Sequence, residues 1–262
     1  METHLFNRTL ISQQDKARIT SITHPSASHW LPSIPLLTLS PTDFSFALRL
    51  RLGLRPSREP LVCGCGTLLA DDHSNFDHLH SCARGGGLIA RHTIVLSALR
   101  VITEEAGATA RIEYRPPFVP GVKSSRLRPD ALIQGLNLLI LTDVMITSPT
   151  APSHVSAAAT TALATAALGE RTKTSKYRRL AAEEKVRFVP FVLESFGAVG
   201  AQAARVIASL SSHLDRSLAH DTVIIPLHSF KHWAYRVLSA ALQRGNARAV
   251  ECAARAGHAR SV

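Results

Sequence analysis

Arg128-Pro129-Asp130-Ala131-Leu132-Ile133-Gln134-Gly135-Leu136-Asn137-Leu138-Leu139-Ile140-Leu141-Thr142-Asp143-Val144 is the stretch whose reading decides the fold. Ala131 to Ile133 is apolar, Gln134 to Asn137 supplies turn chemistry, and Leu138 to Leu141 is apolar again, the pattern of a short β-hairpin. With the turn centred between Leu136 and Asn137, Asp130 and Asp143 become directly opposed neighbours, their Cβ atoms about 5 Å apart. Like charges facing each other destabilise a sheet, and a divalent cation held between them removes the repulsion. A carboxylate at Asp143, inside the apolar run Leu138 to Ile146, costs several kcal/mol if buried and unpaired. The pairing points to metal-dependent phosphodiester chemistry.

Working outward, Leu88, Val95, Leu99 and Ile102 recur at helical spacing and predict a helix over 88–106, stopped at Gly107. Arg111 to Arg115 alternates as a half-buried strand before Pro116-Pro117 ends it. From Ser153 to about Lys185 the chain is Ala-rich and helical, with Gly169 as the expected break between two helices. Arg187 to Glu194 reads as a strand in which Pro190 marks an edge position or a bulge. Ala198 to Leu218 and Ser229 to Ala254 read as helices. This order describes an α/β fold, a mixed sheet flanked by helices, over 88–218. Before it lie a helical connector over 1–60, rich in Ser, Thr and Pro with one helix from Thr42 to Leu52, and a Cys/His segment over 61–87 that ends in Gly85-Gly86-Gly87. A C-terminal helical extension over 219–262 follows.

With 45% hydrophobic and 19% charged residues in 262, the chain lies outside the disordered class. The run Leu138 to Ile146 is too short to cross a bilayer, so no membrane partner is expected. The N-terminus lacks the basic start and apolar core of a secretory signal, which predicts an intracellular protein. The net charge is +11, with arginines at Arg49, Arg51 and Arg55 and again from Arg171 to Arg179. A polyanionic partner follows, DNA and as a second candidate RNA, bound more weakly as salt rises.

Three of the four cysteines crowd between positions 63 and 82. Cys63-Gly64-Cys65-Gly66 followed by His78 and Cys82 offers three thiolates and one imidazole, which suits one tetrahedral zinc. His73 and His80 compete for the imidazole position. Four protein ligands leave no place for a reactive water, so the site is structural. Cys252 reads as a core or surface thiol. Phosphodiester hydrolysis also requires a cation for the developing charge, and Lys173 and Lys176, at i, i+3 spacing on one helix, are the candidates. Glu113 offers a third carboxylate. Taken singly, the lysines read first as a solvated helix face and Glu113 first as an exposed strand residue.

Cys63-Gly-Cys65-Gly, Asp77-His78 with Cys82, Arg91-His92, Glu113, Arg128-Pro129-Asp130, Asp143-Val144 and Lys173 to Tyr177 resemble, in that order, the C-terminal region of site-specific non-long-terminal-repeat retrotransposon proteins. The resemblance covers roughly residues 20–200. It implies a Cys-Cys-His-Cys zinc knuckle ahead of a restriction-like endonuclease of the PD-(D/E)XK fold, which nicks chromosomal DNA to prime reverse transcription. By that resemblance Asp130 and Asp143 hold catalytic Mg²⁺ or Mn²⁺, Lys173 or Lys176 is the catalytic lysine displaced onto a helix, and Tyr177 accompanies it. The chain is then expected in the nucleus, working with a reverse transcriptase domain. Two departures stand out: no reverse transcriptase palm is present, and Met145 occupies the place where many related nucleases carry lysine two residues after the acid.

The competing readings are a zinc-dependent nucleic-acid-binding protein whose carboxylates are not catalytic, and an inactive transposon relic. Other chemistries fit poorly. Gly121 to Ser125 lacks phosphate-loop spacing, the cluster lacks the Glu and Pro-Cys-X2-Cys of zinc deaminases, and no Gly-X-Ser-X-Gly turn exposes a serine nucleophile.

Overall fold

The computed structural model describes residues 12–31, 39–54, 61–69, 78, 81–115, 127–135, 137–218 and 227–258. The expectations placed on His73, Asp77, His80, Pro116-Pro117 and the segment 121–125 lie outside these residues. In chain order the helices are α1 (Gln13–Ile22), α2 (Pro41–Leu52), α3 (Gly87–Glu105), α4 (Val155–Ala158), α5 (Ala164–Glu183), α6 (Ala201–Leu218) and α7 (Leu227–His258). The strands are β1 (Leu61–Val62), β2 (Leu68–Leu69), β3 (Thr109–Ile112), β4 (Ala131–Gly135), β5 (Leu138–Thr142), β6 (Val144–Thr147), β7 (Arg187–Phe188) and β8 (Phe191–Glu194).

β4 and β5 form the hairpin in the register that centres its turn between positions 136 and 137: Ala131 faces Thr142, Leu132 faces Leu141, and Gly135 faces Leu138. Asn137 takes φ 58°, the left-handed conformation that asparagine tolerates in turns. β3 lies antiparallel outside β4, and β7 runs parallel to β5. After a break at Asp143 the chain resumes as β6, which pairs in parallel with β8. The Val189 N–H bonds Leu141 O at 2.9 Å and the Phe191 N–H bonds Asp143 O at 3.1 Å, so the backbone pairing continues across the break. Pro190 has no N–H to give, which splits β7 from β8 as an interruption within the strand.

Period-2 alternation sends the two faces of the hairpin into different layers. Ala131, Ile133 and Ile140 join Val95, Leu99 and Ile102 of α3, Val206, Ile207 and Leu210 of α6, and Phe230, Leu238 and Leu242 of α7. Leu132 and Leu141 pack instead on Tyr177 and Leu180 of α5. The result is a mixed sheet with a helical layer on each face. The stretch Arg84–Glu105 has the length and hydropathy of a membrane span, yet Val95, Leu99 and Ile102 on it are fully buried within this core.

Three expectations are corrected. Gly169 does not break a helix. The break falls at Leu163, φ 61°, and α5 runs through Gly169, where a Cβ would come within 3.2 Å of Met145 and Val192. The strand expected over 111–115 begins earlier and stops at Ile112, because Glu113 turns left-handed at φ 52°. The N-terminal segment carries a helix that its polar sequence concealed. α1 is tied to the sheet by Ser21, whose hydroxyl donates to the buried Glu194 carboxylate at 2.6 Å, as does that of Thr165 at 2.6 Å.

The helix α7 supplies part of the principal core through its N-terminal half, and its C-terminal half joins Cys63, Phe46, Leu50 and Phe196 through Ala247, Val250 and Ala253. A Cβ on Gly87 would stand 2.7 Å from Ala249 O, so glycine is what lets α3 and α7 cross this closely.

Candidate functional site

Extending the β4–β5 register by one residue places Asp130 opposite Asp143, on the hairpin face that carries Leu132 and Leu141 and therefore toward α5. Asp143 is buried, 3% exposed. Its two oxygens meet two residues one helical turn apart on α5. The Tyr177 hydroxyl donates to Oδ1 at 2.5 Å, and the Lys173 ammonium pairs with Oδ2. Tyr177 also lies 3.0 Å from the Arg128 carbonyl, which pins the Arg128-Pro129-Asp130 corner to α5. Its ring stacks on Phe188 at 4.8 Å. Burial, and then the Asp143 carboxylate, push the phenol well above its ordinary range, so it stays a protonated donor.

Asp130 is held differently. Its Oδ2 accepts the Val144 N–H at 2.7 Å, a donor set free by the break between β5 and β6, and lies 2.9 Å from His92 Nε2. Among the described residues, Oδ1 takes no protein donor. The hydrogen bond to Asp130 raises the pKa of His92 above its ordinary value, against the opposing effect of burial.

His92 is a residue that sequence reasoning left out of the site. The signal was its place on α3 one turn before Val95, a polar residue on the stripe that faces the sheet. Its neighbour Arg91 is buried, its pKa lowered to about 10 by desolvation, and donates to Asn246 Oδ1 at 3.4 Å. Asn246 in turn donates to Ser195 O at 2.8 Å.

Of the other sequence candidates, Lys176 is exposed, with Nζ 4.7 Å above the Tyr177 ring rather than on a carboxylate. Glu113 adjoins Asp130 through its backbone, the Glu113 N–H bonding Asp130 O at 2.7 Å, and its side chain is exposed. Asp130, Asp143, Glu113 and His92 therefore surround one end of the sheet without any three of them converging to coordination distance.

The cysteine cluster does converge. Ligand atoms of Cys63, Cys65, His78 and Cys82 all lie within 4.8 Å of one another, the one such group among the described residues. Cys63 Sγ and Cys82 Sγ are 3.5 Å apart, and Cys65 Sγ is 3.2 Å from His78 Nε2. A tight turn in which the Gly66 N–H bonds Cys63 O at 2.7 Å brings the first two together, and the Cys82 N–H bonding His78 O at 2.8 Å brings the second two. Hydrogen bonds from Thr67 lower the exposed Cys65 thiol to about 6, whereas burial raises Cys63 to about 11. Three thiols and an imidazole form a group able to hold a metal, and the donor set fits zinc. The Gly64 N–H bonds Ala253 O at 2.9 Å, fastening the turn to α7.

The sequence matches no family model and no curated protein.

Proposed function

We propose that the chain is a metal-dependent endonuclease that nicks DNA, derived from a retrotransposon of the restriction-like class. The observation that carries this reading is the meeting, at one break in the sheet, of two opposed carboxylates with a lysine ammonium on the buried one. The mixed sheet covered on both faces by helices is compatible with the restriction-like fold that the resemblance implies. The net charge of +11 suits a polyanionic substrate.

Hard carboxylate oxygens suit Mg²⁺ or Mn²⁺, and Asp130 Oδ1 with Asp143 would hold the ion. Bound there, it would polarise a phosphoryl oxygen and acidify a water. The protein's own share is clearer. Tyr177 fixes the orientation of the Asp143 carboxylate, and the Val144 N–H with His92 fixes that of Asp130. Lys173, at 20% side-chain exposure, would meet the negative charge that grows on the phosphoryl oxygens as water adds to phosphorus and the P–O bond opens. The cysteine cluster, loaded with zinc, acts as a structural knuckle clamped to α7.

The test is nicking of supercoiled plasmid by the purified chain in low salt with Mn²⁺, beside Asp143→Asn. Nicking that needs both the metal and Asp143 is the expected result, and unchanged nicking by the variant removes the assignment.

A second reading is favoured by one observation: Asp143 is already neutralised by Lys173, and Asp130 accepts from His92, with no metal required. A zinc-dependent nucleic-acid-binding protein with silent carboxylates would look the same. It predicts binding that is lost with zinc and unaffected by Asp130→Asn.

A further inference from the structure

We infer that Lys173 gates the catalytic cation site, so that DNA and the divalent metal bind with positive coupling. The inference rests on the nuclease reading and concerns how its site fills. Asp143 is buried, and as a carboxylate it is strongly disfavoured without a positive partner. Two partners compete for Asp143 Oδ2: the Lys173 ammonium that holds it in this structure, and a divalent ion. A divalent ion arriving at that oxygen meets the repulsion of the ammonium already on it, so each weakens the other's hold.

The rest of the site is built so that only this contact has to change. Tyr177 holds Asp143 Oδ1 independently of the lysine. Asp130 Oδ2 is held by the Val144 N–H and His92, which leaves Oδ1 open in either state. What draws Lys173 away is an anion of the right reach, and the scissile phosphodiester is the anion this centre is proposed to meet. Each ligand then favours the lysine-off state, which makes their coupling reciprocal.

The consequence runs against the usual expectation for a catalytic lysine: removing it strengthens metal binding in the absence of DNA. The apparent dissociation constant scales inversely with the fraction of open sites, so a site open about a tenth of the time gains roughly tenfold when the lysine is gone. The experiment titrates Mn²⁺ by electron paramagnetic resonance into the zinc-loaded full chain, comparing wild type, Lys173→Met and Lys173→Gln, with Asp143→Asn added to each to identify the site. Tighter binding in both lysine variants, abolished by Asp143→Asn, is the expected result. Asp143-dependent binding that is equal or weaker in the lysine variants overturns the gate and leaves the nuclease reading standing. No Asp143-dependent Mn²⁺ binding in any chain overturns both. The wild-type chain gives a measurement that depends on no variant's folding: a short phosphodiester duplex tightens the Asp143-dependent site, and equal affinity with and without the duplex overturns the coupling.

Discussion

At the Cys63–Cys82 turn, the ligand atoms of three thiols and an imidazole converge within 4.8 Å of one another. At the mouth of the hairpin two carboxylates are opposed by register, and a lysine and a histidine from different helices already bond them. The first group is rich in thiols and is joined by local turns. The second is balanced by long-range packing. Both read in the sequence as metal sites, yet only the first has the geometry of one before any ion arrives. The difference teaches that ligand type names the chemistry a group is capable of, while the counter-charges around it decide whether a metal is required.

Zinc is where that contrast should show its largest effect. A chain stripped of metal and refolded with Co²⁺ is expected to bind one equivalent and to show the absorption of a tetrahedral thiolate site. Cys63→Ser should abolish that band and lower thermal stability, because affinities of this class correspond to about 10 kcal/mol or more and the turn is fastened to α7 through Gly64. One equivalent bound with octahedral absorption would dissolve the comparison.

Asp143→Ala comes next. Leaving Lys173 half-buried without its carboxylate costs about 3 kcal/mol, read as a shift of the urea midpoint with unchanged slope. A shift no larger than that of a surface substitution such as Glu251→Ala, whose carboxylate pairs with exposed Arg248, would show that the pair is not what stabilises this end of the sheet. Tyr177→Phe should cost about 1 to 3 kcal/mol, since it leaves Asp143 Oδ1 without its donor inside the protein. In the same variant nicking should fall while DNA affinity holds.

The smallest effect concerns His92. Its folded-state pKa is raised above the ordinary 6.5, so its bond to Asp130 contributes stability in full below 6.5, and that contribution is lost as pH rises through the raised value. Metal-free wild type should exceed His92→Gln in melting temperature most at pH 6, the gap narrowing above neutrality. A gap constant with pH would place the role of His92 in packing.

The hairpin and the cluster were legible because their determinants are local. Apolar runs on either side of Gln134 to Asn137, with an asparagine able to turn left-handed, fix one register, and register alone opposes Asp130 to Asp143. Cys63 and Cys65 are two residues apart, and His78 and Cys82 one turn apart. Less legible were the helix phases. Gly169 looked like a break because glycine is a poor helix former, but Met145 and Val192 press against α5 there and need the missing Cβ. α1 was hidden because its sequence is mostly polar, and its tie to the sheet is the Ser21 hydroxyl bond to the buried Glu194 carboxylate.

By itself the sequence determined a turn able to hold a metal, a hairpin with opposed aspartates and a strongly basic chain, since each follows from neighbouring residues, their spacing, or summed charge. Tertiary structure decided that Lys173 and not Lys176 reaches Asp143, that Tyr177 orients it, and that His92 stands on Asp130. Those choices depend on how α3 and α5 are rotated against the two faces of the sheet, and rotation is set by packing among residues far apart in the chain.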